Sequence, residues 1–228
     1  MKKLVILTGA GISAESGIKT FRDSDGLWEN HRIEDVATYD GWIKNKQLVL
    51  DFYNLRHRDL KNAQPNDAHY ILAELEKDFD VHIITQNVDD LHERGGSSNV
   101  LHLHGELTQM RSSKNNKVYD WPYDVDLKVD SVAPDGTELR PHIVWFGEDV
   151  PKRHEAMDLV ESADIFVIIG TSLEVYPAAG LIDYVKDGIS LYLVNPENVY
   201  DGWRKINHIK KVATKGVKEL KEKLLKSV

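Results

Sequence analysis

Two histidines lie two residues apart, at His102 and His104, in an apolar stretch of the chain. Imidazole has an unperturbed pKa of about 6.5, so either ring can take up a proton near neutral pH. In an extended segment, side chains two residues apart point to the same side, so the two rings should share a face. The residues alone leave three interpretations open: a catalytic base, part of a metal site, or a packed structural pair.

A run of small residues follows the first apolar segment of the chain. Residues 8–17 read TGAGISAESG, which places Gly9, Gly11 and Ala14 at a spacing typical of dinucleotide-binding loops. Small residues let a backbone approach a pyrophosphate, whose charge the N-terminus of the next helix can hold. The alternative is a tight strand-to-helix turn without a ligand. A dehydrogenase would continue into a second strand, but this chain continues into a polar loop.

Polar side chains also follow the apolar run 81–84. Gln86, Asn87 and Asp89 come directly after it. Ligands of parallel sheets bind at the carboxyl ends of the strands, where amide and carboxylate groups can hold a ribose and a carboxamide. The alternative is that these residues cap a helix beginning near Asp89, and capping and ligand binding can coexist.

A tyrosine and an arginine share one face of a predicted helix. Tyr53 and Arg56 are three residues apart, so their side chains point the same way. A phenol and a guanidinium on one face can bind a carboxylate, because arginine offers two charge-assisted hydrogen bonds. The alternative is a packed tyrosine and an arginine paired with an acid such as Asp59.

Short apolar runs rich in valine and isoleucine predict strands that are buried on both faces. Between several of them lie segments with helical spacing, such as 66–79, where Ile71, Leu72 and Leu75 form one stripe behind an Asn66 cap. The alternation of strand and helix predicts an α/β fold with a Rossmann-like, doubly wound parallel sheet. The predicted strands are 4–7, 81–84, 143–146, 165–169 and 191–194.

Two stretches break this alternation. Residues 28–65 look wholly helical, and residues 106–140 are polar and interrupted by Pro122, Pro134 and Gly136. We interpret both as insertions that pack together as a small, mostly helical second lobe. The prediction is one catalytic unit over 1–228, with a sheet lobe of about 1–27, 66–105 and 141–228 and a small lobe of about 28–65 and 106–140.

Composition excludes several classes of protein. With 37 acidic and 29 basic residues, the net charge of −8 gives no reason to expect nucleic-acid binding. The chain has no cysteine, which excludes disulfides, thiol nucleophiles and thiolate metal sites. The opening apolar run stops at Thr8, so we expect a cytoplasmic protein without membrane association. In the lysine-rich segment 210–226, apolar spacing predicts an amphipathic helix, with its stripe at Val212, Val217, Leu220 and Leu224.

Motifs along the whole chain resemble those of the sirtuin family. Because they occur in the expected order, the match is specific. The resemblance implies an enzyme that uses NAD to remove acyl groups from protein lysines, releasing nicotinamide and O-acyl-ADP-ribose. The motifs are GAGISAESGIKTFRDSDGLW at 9–28, Gln86-Asn87-Val88-Asp89, His104-Gly105, Val144-Trp145-Phe146-Gly147-Glu148, Gly170-Thr171-Ser172 and Val194-Asn195.

The resemblance also implies a role for each motif. His104 would be the catalytic base at the ribose of NAD, with His102 as its structural neighbour. Phe21 would shield the reactive sugar carbon from water. Residues 144–148 would bind the substrate peptide through backbone hydrogen bonds, with Trp145 and Phe146 lining a tunnel for the lysine. The expected NAD-binding residues are Gly9, Ala10, Gly11, Ser13, Ala14, Thr20, Phe21, Arg22, Trp28, Gln86, Asn87, Asp89, Gly170, Thr171, Ser172, Asn195 and Lys215, and the expected substrate-binding residues are Tyr53, Arg56, Val144, Trp145, Phe146, Gly147 and Glu148.

The chain matches one subclass of the family in one motif and departs from the usual family pattern at other positions. Tyr53 and Arg56 resemble the Tyr-x-x-Arg signature of sirtuins that remove succinyl and malonyl groups, which favours those groups over acetyl. Most sirtuins carry a four-cysteine zinc ribbon in the second insertion, whereas this cysteine-free chain should hold no metal there. Lys19 stands where proline is usual, and Glu106 where serine is common. An apolar cluster should replace the zinc, with Met110, Val118, Tyr119, Trp121, Tyr123 and Leu127 as candidates.

Other functions remain open at this point. An NAD-dependent dehydrogenase would transfer hydride rather than release nicotinamide. A non-catalytic sensor would bind NAD or ADP-ribose without turnover. A protein mono-ADP-ribosyltransferase would share the first chemical step and differ in the acceptor. The expected partners are acyl-lysine proteins, and the sequence does not indicate an oligomeric state.

Overall fold

The computed structural model describes residues 1–19, 27–28 and 31–226, with the backbone alone described at 27 and 28. Two lobes share the chain, and their elements alternate along it. In chain order these are β1 (Lys3–Thr8), β2 (Leu27–Trp28), β3 (His31–Arg32), α1 (Ile33–Val36), α2 (Tyr39–Lys44), α3 (Lys46–Asn62), α4 (Asp67–Glu74), β4 (Asp80–Thr85), α5 (Leu91–Arg94), β5 (Val100–His102), β6 (Gly105–Ser112), β7 (Val118–Asp120), β8 (Leu139–Ile143), α6 (Arg153–Glu161), β9 (Ile165–Ile169), β10 (Ser190–Val194), β11 (Asn207–Ile209) and α7 (Ala213–Leu225).

The larger lobe is built on a six-stranded parallel sheet in the order β11-β10-β9-β1-β4-β5. Its central strand β1 pairs in register with both neighbours, so that Leu4 lies opposite Val81 and Ile165. Strands β1 and β9 are buried on both faces because a separate apolar cluster covers each side of the sheet. The predicted Rossmann-like sheet is therefore confirmed, including four of its five predicted strands.

Helices on the sheet begin where the sequence indicates. α4 begins after Asn66, whose side chain accepts the backbone N–H of Ala68 at 2.9 Å. The predicted amphipathic helix at the lysine-rich end is α7, which buries Val217 and Leu220 completely against the sheet. Val212 is not part of this stripe, because it precedes the first turn and is 40% exposed.

The small lobe differs from its prediction in three respects. Its first insertion is not wholly helical, because β3 pairs with β2 before α1 begins. Its second insertion forms a three-stranded antiparallel sheet in the order β7-β6-β8, which the polar, proline-interrupted sequence hides. The predicted strand 143–146 is wrong as a member of the parallel sheet: its first residue, Ile143, ends the antiparallel strand β8.

Aromatic and polar contacts hold the cysteine-free lobe together. The His57 ring stacks between those of Trp121 and Tyr123, at centroid distances of 4.1 and 4.9 Å. The Asn54 side chain exchanges two buried hydrogen bonds with the backbone of Leu127, each 2.9 Å long. Trp121 and Leu127 are buried, and Met110, Tyr119 and Tyr123 are partly buried against the same cluster. Val118 does not belong to this cluster, because it is 40% exposed.

Within residues 1–19 and 31–226, none of the helices combines the length and the apolar character needed to cross a membrane.

Candidate active site

Two glycine-containing turns meet at the carboxyl edge of the parallel sheet. The Gly11 N–H donates to the Gly170 carbonyl at 2.8 Å, and a Cβ on Gly11 would lie 2.7 Å from the Gly170 Cα. A Cβ on Gly9 would lie equally close to the Thr171 Cβ, at 2.7 Å. The glycines after β1 are thus required by the approach of the turn after β9.

The segment after the first strand corrects one expectation. No α-helix follows the glycines directly; two 3₁₀ turns, Ala10–Ile12 and Ala14–Ser16, follow instead. These turns are anchored by α4, because the Asn66 amide donates to the Ile12 carbonyl at 2.8 Å and to Ser16 Oγ at 2.9 Å. The expected helix dipole is therefore not available at this turn, and Ala10 and Ala14 lie in short 3₁₀ turns.

Hydroxyl and amide groups connect the strand ends to each other. The Gln86 side-chain amide donates to Thr171 Oγ1 at 3.0 Å. The buried Asn195 side chain, at the end of β10, donates to the Thr171 carbonyl at 3.0 Å. Ser172 is half-buried in the same turn. The structure therefore brings these predicted cofactor residues together at one edge.

A second chain of hydrogen bonds runs through the loop after β4. The Asn87 amide donates to Ser13 Oγ at 3.1 Å, and Ser13 Oγ donates to the Asp89 carboxylate at 3.0 Å. The other Asp89 oxygen accepts the backbone N–H of Leu91 at 3.1 Å, so the expected role at the start of α5 is present too. Burial raises the pKa of Asp89 to about 6, against these hydrogen bonds, which lower it.

His104 is oriented by the same loop. Its Nδ1 lies 3.0 Å from the Gln86 carbonyl oxygen. Because a carbonyl oxygen only accepts, Nδ1 must carry the proton, which leaves a lone pair on Nε2. Burial lowers the pKa of His104, and the carbonyl hydrogen bond opposes that shift only in part. The ring is therefore neutral at pH 7, the protonation state that a general base requires.

His102 does not share the chemistry of its neighbour. Its ring is 4% exposed, with Nδ1 at 3.1 Å from the Asn87 carbonyl oxygen and Nε2 at 2.8 Å from Glu93 Oε1. Both ring nitrogens of His102 are thus occupied within the protein, and Glu93 is a partner that the sequence did not indicate.

Tyr53 and Arg56 lie in α3. Tyr53 is fully buried, and its hydroxyl accepts the indole N–H of Trp145 at 3.0 Å. The Arg56 guanidinium lies over the Phe52 ring at 3.8 Å, and its charge acts on the Tyr53 hydroxyl. Burial raises the pKa of Tyr53, so the phenol stays neutral and able to donate.

The predicted substrate segment 144–148 is held by a buried ion cluster. Glu148 accepts hydrogen bonds from Arg140 at 2.7 and 2.8 Å and from Arg111 at 3.2 Å. The same carboxylate accepts the backbone N–H of Trp145 at 2.9 Å. Arg140 also stacks on the Trp145 ring at 3.8 Å. The sequence did not identify Arg111 or Arg140 as partners of Glu148. A basic residue within an apolar segment, such as Arg140, does indicate a buried ion pair.

The backbone of this segment is already engaged. The N–H of Val144 donates to the His104 carbonyl at 2.9 Å, and that of Phe146 donates to the Ala37 carbonyl at 2.9 Å. Trp145 is buried in the small-lobe core beside Trp42, whereas Phe146 is 45% exposed. The Glu148 N–H in turn donates to the Trp145 carbonyl at 3.0 Å, across Gly147, which has a φ of 88°.

The remaining predicted residues are placed as follows. Lys215 is exposed on the first turn of α7, next to Thr214, whose N–H donates to the Glu15 carboxylate at 2.9 Å. Thr20, Phe21 and Arg22 lie outside the described residues, as does the side chain of Trp28.

Known proteins are similar to this chain over most or nearly all of its length. A Bacteroides thetaiotaomicron protein named NAD-dependent protein deacylase is 54% identical over 231 residues, which cover 99% of each chain. A Helicobacter pylori protein of the same name is 60% identical over 198 residues, which cover 86% of each chain. The crystal structure of a Sir2 homologue in complex with NAD has a TM-score of 0.87 and 40% identity, covering 99% of this chain and 90% of its own.

Residues 9–177 match the Sir2 family, and the chain belongs to that family. The predicted enzyme class, an NAD-dependent protein deacylase, and the predicted cofactor, NAD, are both confirmed. The donor set fits this cofactor, because the amides and hydroxyls at the sheet edge suit ribose and carboxamide groups.

Proposed function

We propose that the protein removes acyl groups from protein lysines with NAD, that it favours succinyl and malonyl over acetyl, and that His104 is its catalytic base. The observation that carries the proposed preference is the contact of the Trp145 indole N–H with the Tyr53 hydroxyl, at 3.0 Å, with the Arg56 charge close by. Residues 1–228 act as one catalytic unit, and the second insertion of the small lobe extends beyond its predicted limit at 140, because Ile143 and Trp145 pack in the small-lobe core.

On the nucleotide side, the chain's role is to bind and orient. Gln86, Asn87, Thr171 and Asn195 offer amide and hydroxyl groups to the riboses and the carboxamide, from positions fixed by their mutual hydrogen bonds. These residues would hold NAD, which when bound would supply an electrophilic sugar carbon with nicotinamide as its leaving group. Phe21, as the family resemblance implies, excludes water from that carbon.

His104 moves the proton. Its Nε2 lone pair accepts a proton from the ribose hydroxyl, while the Gln86 carbonyl stabilises the proton that already resides on Nδ1. Since Val144 donates to the His104 carbonyl, the base and the substrate segment share one backbone hydrogen bond. A substrate peptide bound at 144–148 therefore lies beside the base.

On the acyl side, two donors receive the distal carboxylate of a succinyl or malonyl group. The first donor is the Tyr53 hydroxyl, which accepts the indole N–H of Trp145 and is itself an O–H donor. Arg56 supplies charge-assisted hydrogen bonds, which are about twice as strong as neutral ones. An acetyl group has no carboxylate and gains neither contact, which gives the preference.

The test is a matched substrate series. The enzyme is incubated with NAD and one peptide carrying acetyl-, malonyl- or succinyl-lysine, and nicotinamide and O-acyl-ADP-ribose are quantified by mass spectrometry. We expect both products in equal amounts and a higher kcat/KM for the acidic acyl groups. A higher kcat/KM for acetyl would overturn the preference. ADP-ribose attached to protein, or binding of NAD without turnover, would overturn the deacylase function itself.

A further inference from the structure

We propose that His102 is a second functional histidine: an imidazolium that positions the 86–89 loop, and through it His104, for the reaction. The two ring nitrogens of His102 contact the Asn87 carbonyl and Glu93 rather than His104. It acts through the backbone of the loop that carries Gln86, Asn87 and Asp89.

The partners of the ring require two protons on it. Nδ1 lies 3.1 Å from the Asn87 carbonyl oxygen and Nε2 lies 2.8 Å from a Glu93 carboxylate oxygen. A carbonyl oxygen accepts only, and so does an ionised carboxylate. A neutral imidazole has one N–H and can satisfy only one of these contacts. If both contacts are hydrogen bonds, the ring is a cation. It is almost fully buried, with 4% of its side chain exposed.

Two adjacent backbone carbonyls of one loop accept hydrogen bonds from the two histidine rings. Gln86 offers its carbonyl to His104 and Asn87 offers its carbonyl to His102, so the two peptide units cannot rotate independently. The Asn87 side chain continues the network to Ser13. A neutral ring would keep its one N–H for the stronger acceptor, the Glu93 carboxylate, and would release the Asn87 peptide, which follows the carbonyl that orients His104.

Charges on every neighbouring element act on this ring. Glu93 on α5 and Glu106 on β6 favour the cation, and the buried Asp89 carboxyl is stabilised by it. His92 on α5 is buried and His142 on β8 is partly buried, and the His102 charge disfavours their protonation further. Burial alone would lower the pKa of His102, but the hydrogen bond and charge of Glu93 outweigh it and raise the pKa above its ordinary value.

The two histidines should therefore limit activity at opposite ends of the pH profile. His104 must be neutral, and its lowered pKa places the ascending limb of the pH profile below about 6.5. His102 must be protonated, and its raised pKa places the descending limb above about 6.5. Replacing Glu93 with glutamine removes the negative charge that raises the pKa of His102. The descending limb should then move to lower pH, while the ascending limb stays.

The first measurement does not depend on turnover. Long-range ¹⁵N–¹H spectra of the histidine-labelled protein at pH 7, with resonances assigned through His102→Gln, report how many ring nitrogens carry a proton. We expect two on His102 and one on His104. A neutral His102 at pH 7 would overturn the proposal, whatever acyl group the enzyme prefers.

The second measurement is kcat/KM against pH for Glu93→Gln, with the most rapidly deacylated peptide. We expect the descending limb to fall by about 1 pH unit or more, the size typical of a lost neighbouring charge. Glu93→Asp, which retains the carboxylate, should shift the descending limb less than Glu93→Gln does. Equal loss of activity at every pH would show a merely structural role and would overturn the proposal.

The matched control is Asp80→Asn. Asp80 also pairs with a histidine, His82 Nε2 at 3.1 Å, but at the amino end of β4, away from the site. This variant removes a carboxylate–histidine contact of the same kind and should leave both limbs in place. A shift as large as that of Glu93→Gln would show a general effect of surface charge and would overturn the specific role of His102.

Discussion

The proposed nucleotide and acyl sides of the site around His104 consist of different chemical groups. On the nucleotide side, neutral hydroxyls and amides at the ends of β1, β4, β9 and β10 bind one another, and the turns that carry them approach as closely as glycine allows. On the acyl side, guanidinium groups, a carboxylate and aromatic rings from the small lobe pack around the Tyr53 hydroxyl.

Under the proposed function, this difference separates the residues that use NAD from the residues that select the acyl group. The nucleotide side rests on a buried parallel sheet, where almost any displacement would disturb several hydrogen bonds at once. The acyl side rests on α3 and on the ion cluster of Glu148, in a lobe without a metal ligand set of cysteines. A change at Tyr53 or Arg56 should therefore alter which acyl group is accepted without altering how NAD is used.

The largest expected effect lies at the junction of the two sides. His104→Ala removes the base and should lower kcat for every acyl-lysine peptide by about 10²- to 10⁴-fold, the usual contribution of a general base. Binding of NAD, measured by calorimetry, should change little. His154→Ala, at an exposed position on α6, is the control and should retain activity. Activity of His104→Ala near that of the control would contradict the proposed base.

A smaller effect should distinguish the small lobe from the sheet lobe. Asn54→Ala removes both buried hydrogen bonds to Leu127 and leaves backbone groups unpaired, at a cost of about 1–3 kcal/mol. The Tm should fall by roughly 2–4 °C per kcal/mol. Asn62→Ala, at the exposed end of the same helix, should stay within about 0.5 kcal/mol of the wild type. Equal Tm values for the two variants would show that the Asn54 contact does not stabilise this lobe.

The sequence predicted the sheet lobe well because its signals are local. Uninterrupted apolar runs predict strands such as β1 and β9, and the Asn66 cap predicts the start of α4. The position of His104 followed from the motifs around it. These features depend on residues that are neighbours in the chain, so a single sequence contains them.

The sequence did not predict features that depend on distant partners. The run 143–146 has the composition of a buried parallel strand, but pairing with β6 makes its beginning antiparallel. The sequence explained Gly9 and Gly11 by the approach of a phosphate. The structure adds a second reason, because a turn about 160 residues further along the chain packs against both glycines. From the sequence, His102 had only a structural role. Its pairing with Glu93 became visible only in the structure, because Glu93 lies on another element.

The central claim is that Arg56 sets the acyl preference without taking part in the use of NAD. The most direct test compares kcat/KM for succinyl-lysine and acetyl-lysine peptides in Arg56→Met and in Arg58→Met. Arg58 is on the same helix but pairs with Asp126 on the surface, at 2.7 Å, and serves as the matched control.

We predict that Arg56→Met loses about 10- to 100-fold on succinyl-lysine, the equivalent of a charged hydrogen bond of about 1.5–3 kcal/mol, and retains acetyl-lysine activity. Arg58→Met should keep the wild-type ratio. An equal loss on both peptides in Arg56→Met, or the same loss in Arg58→Met, would contradict the account.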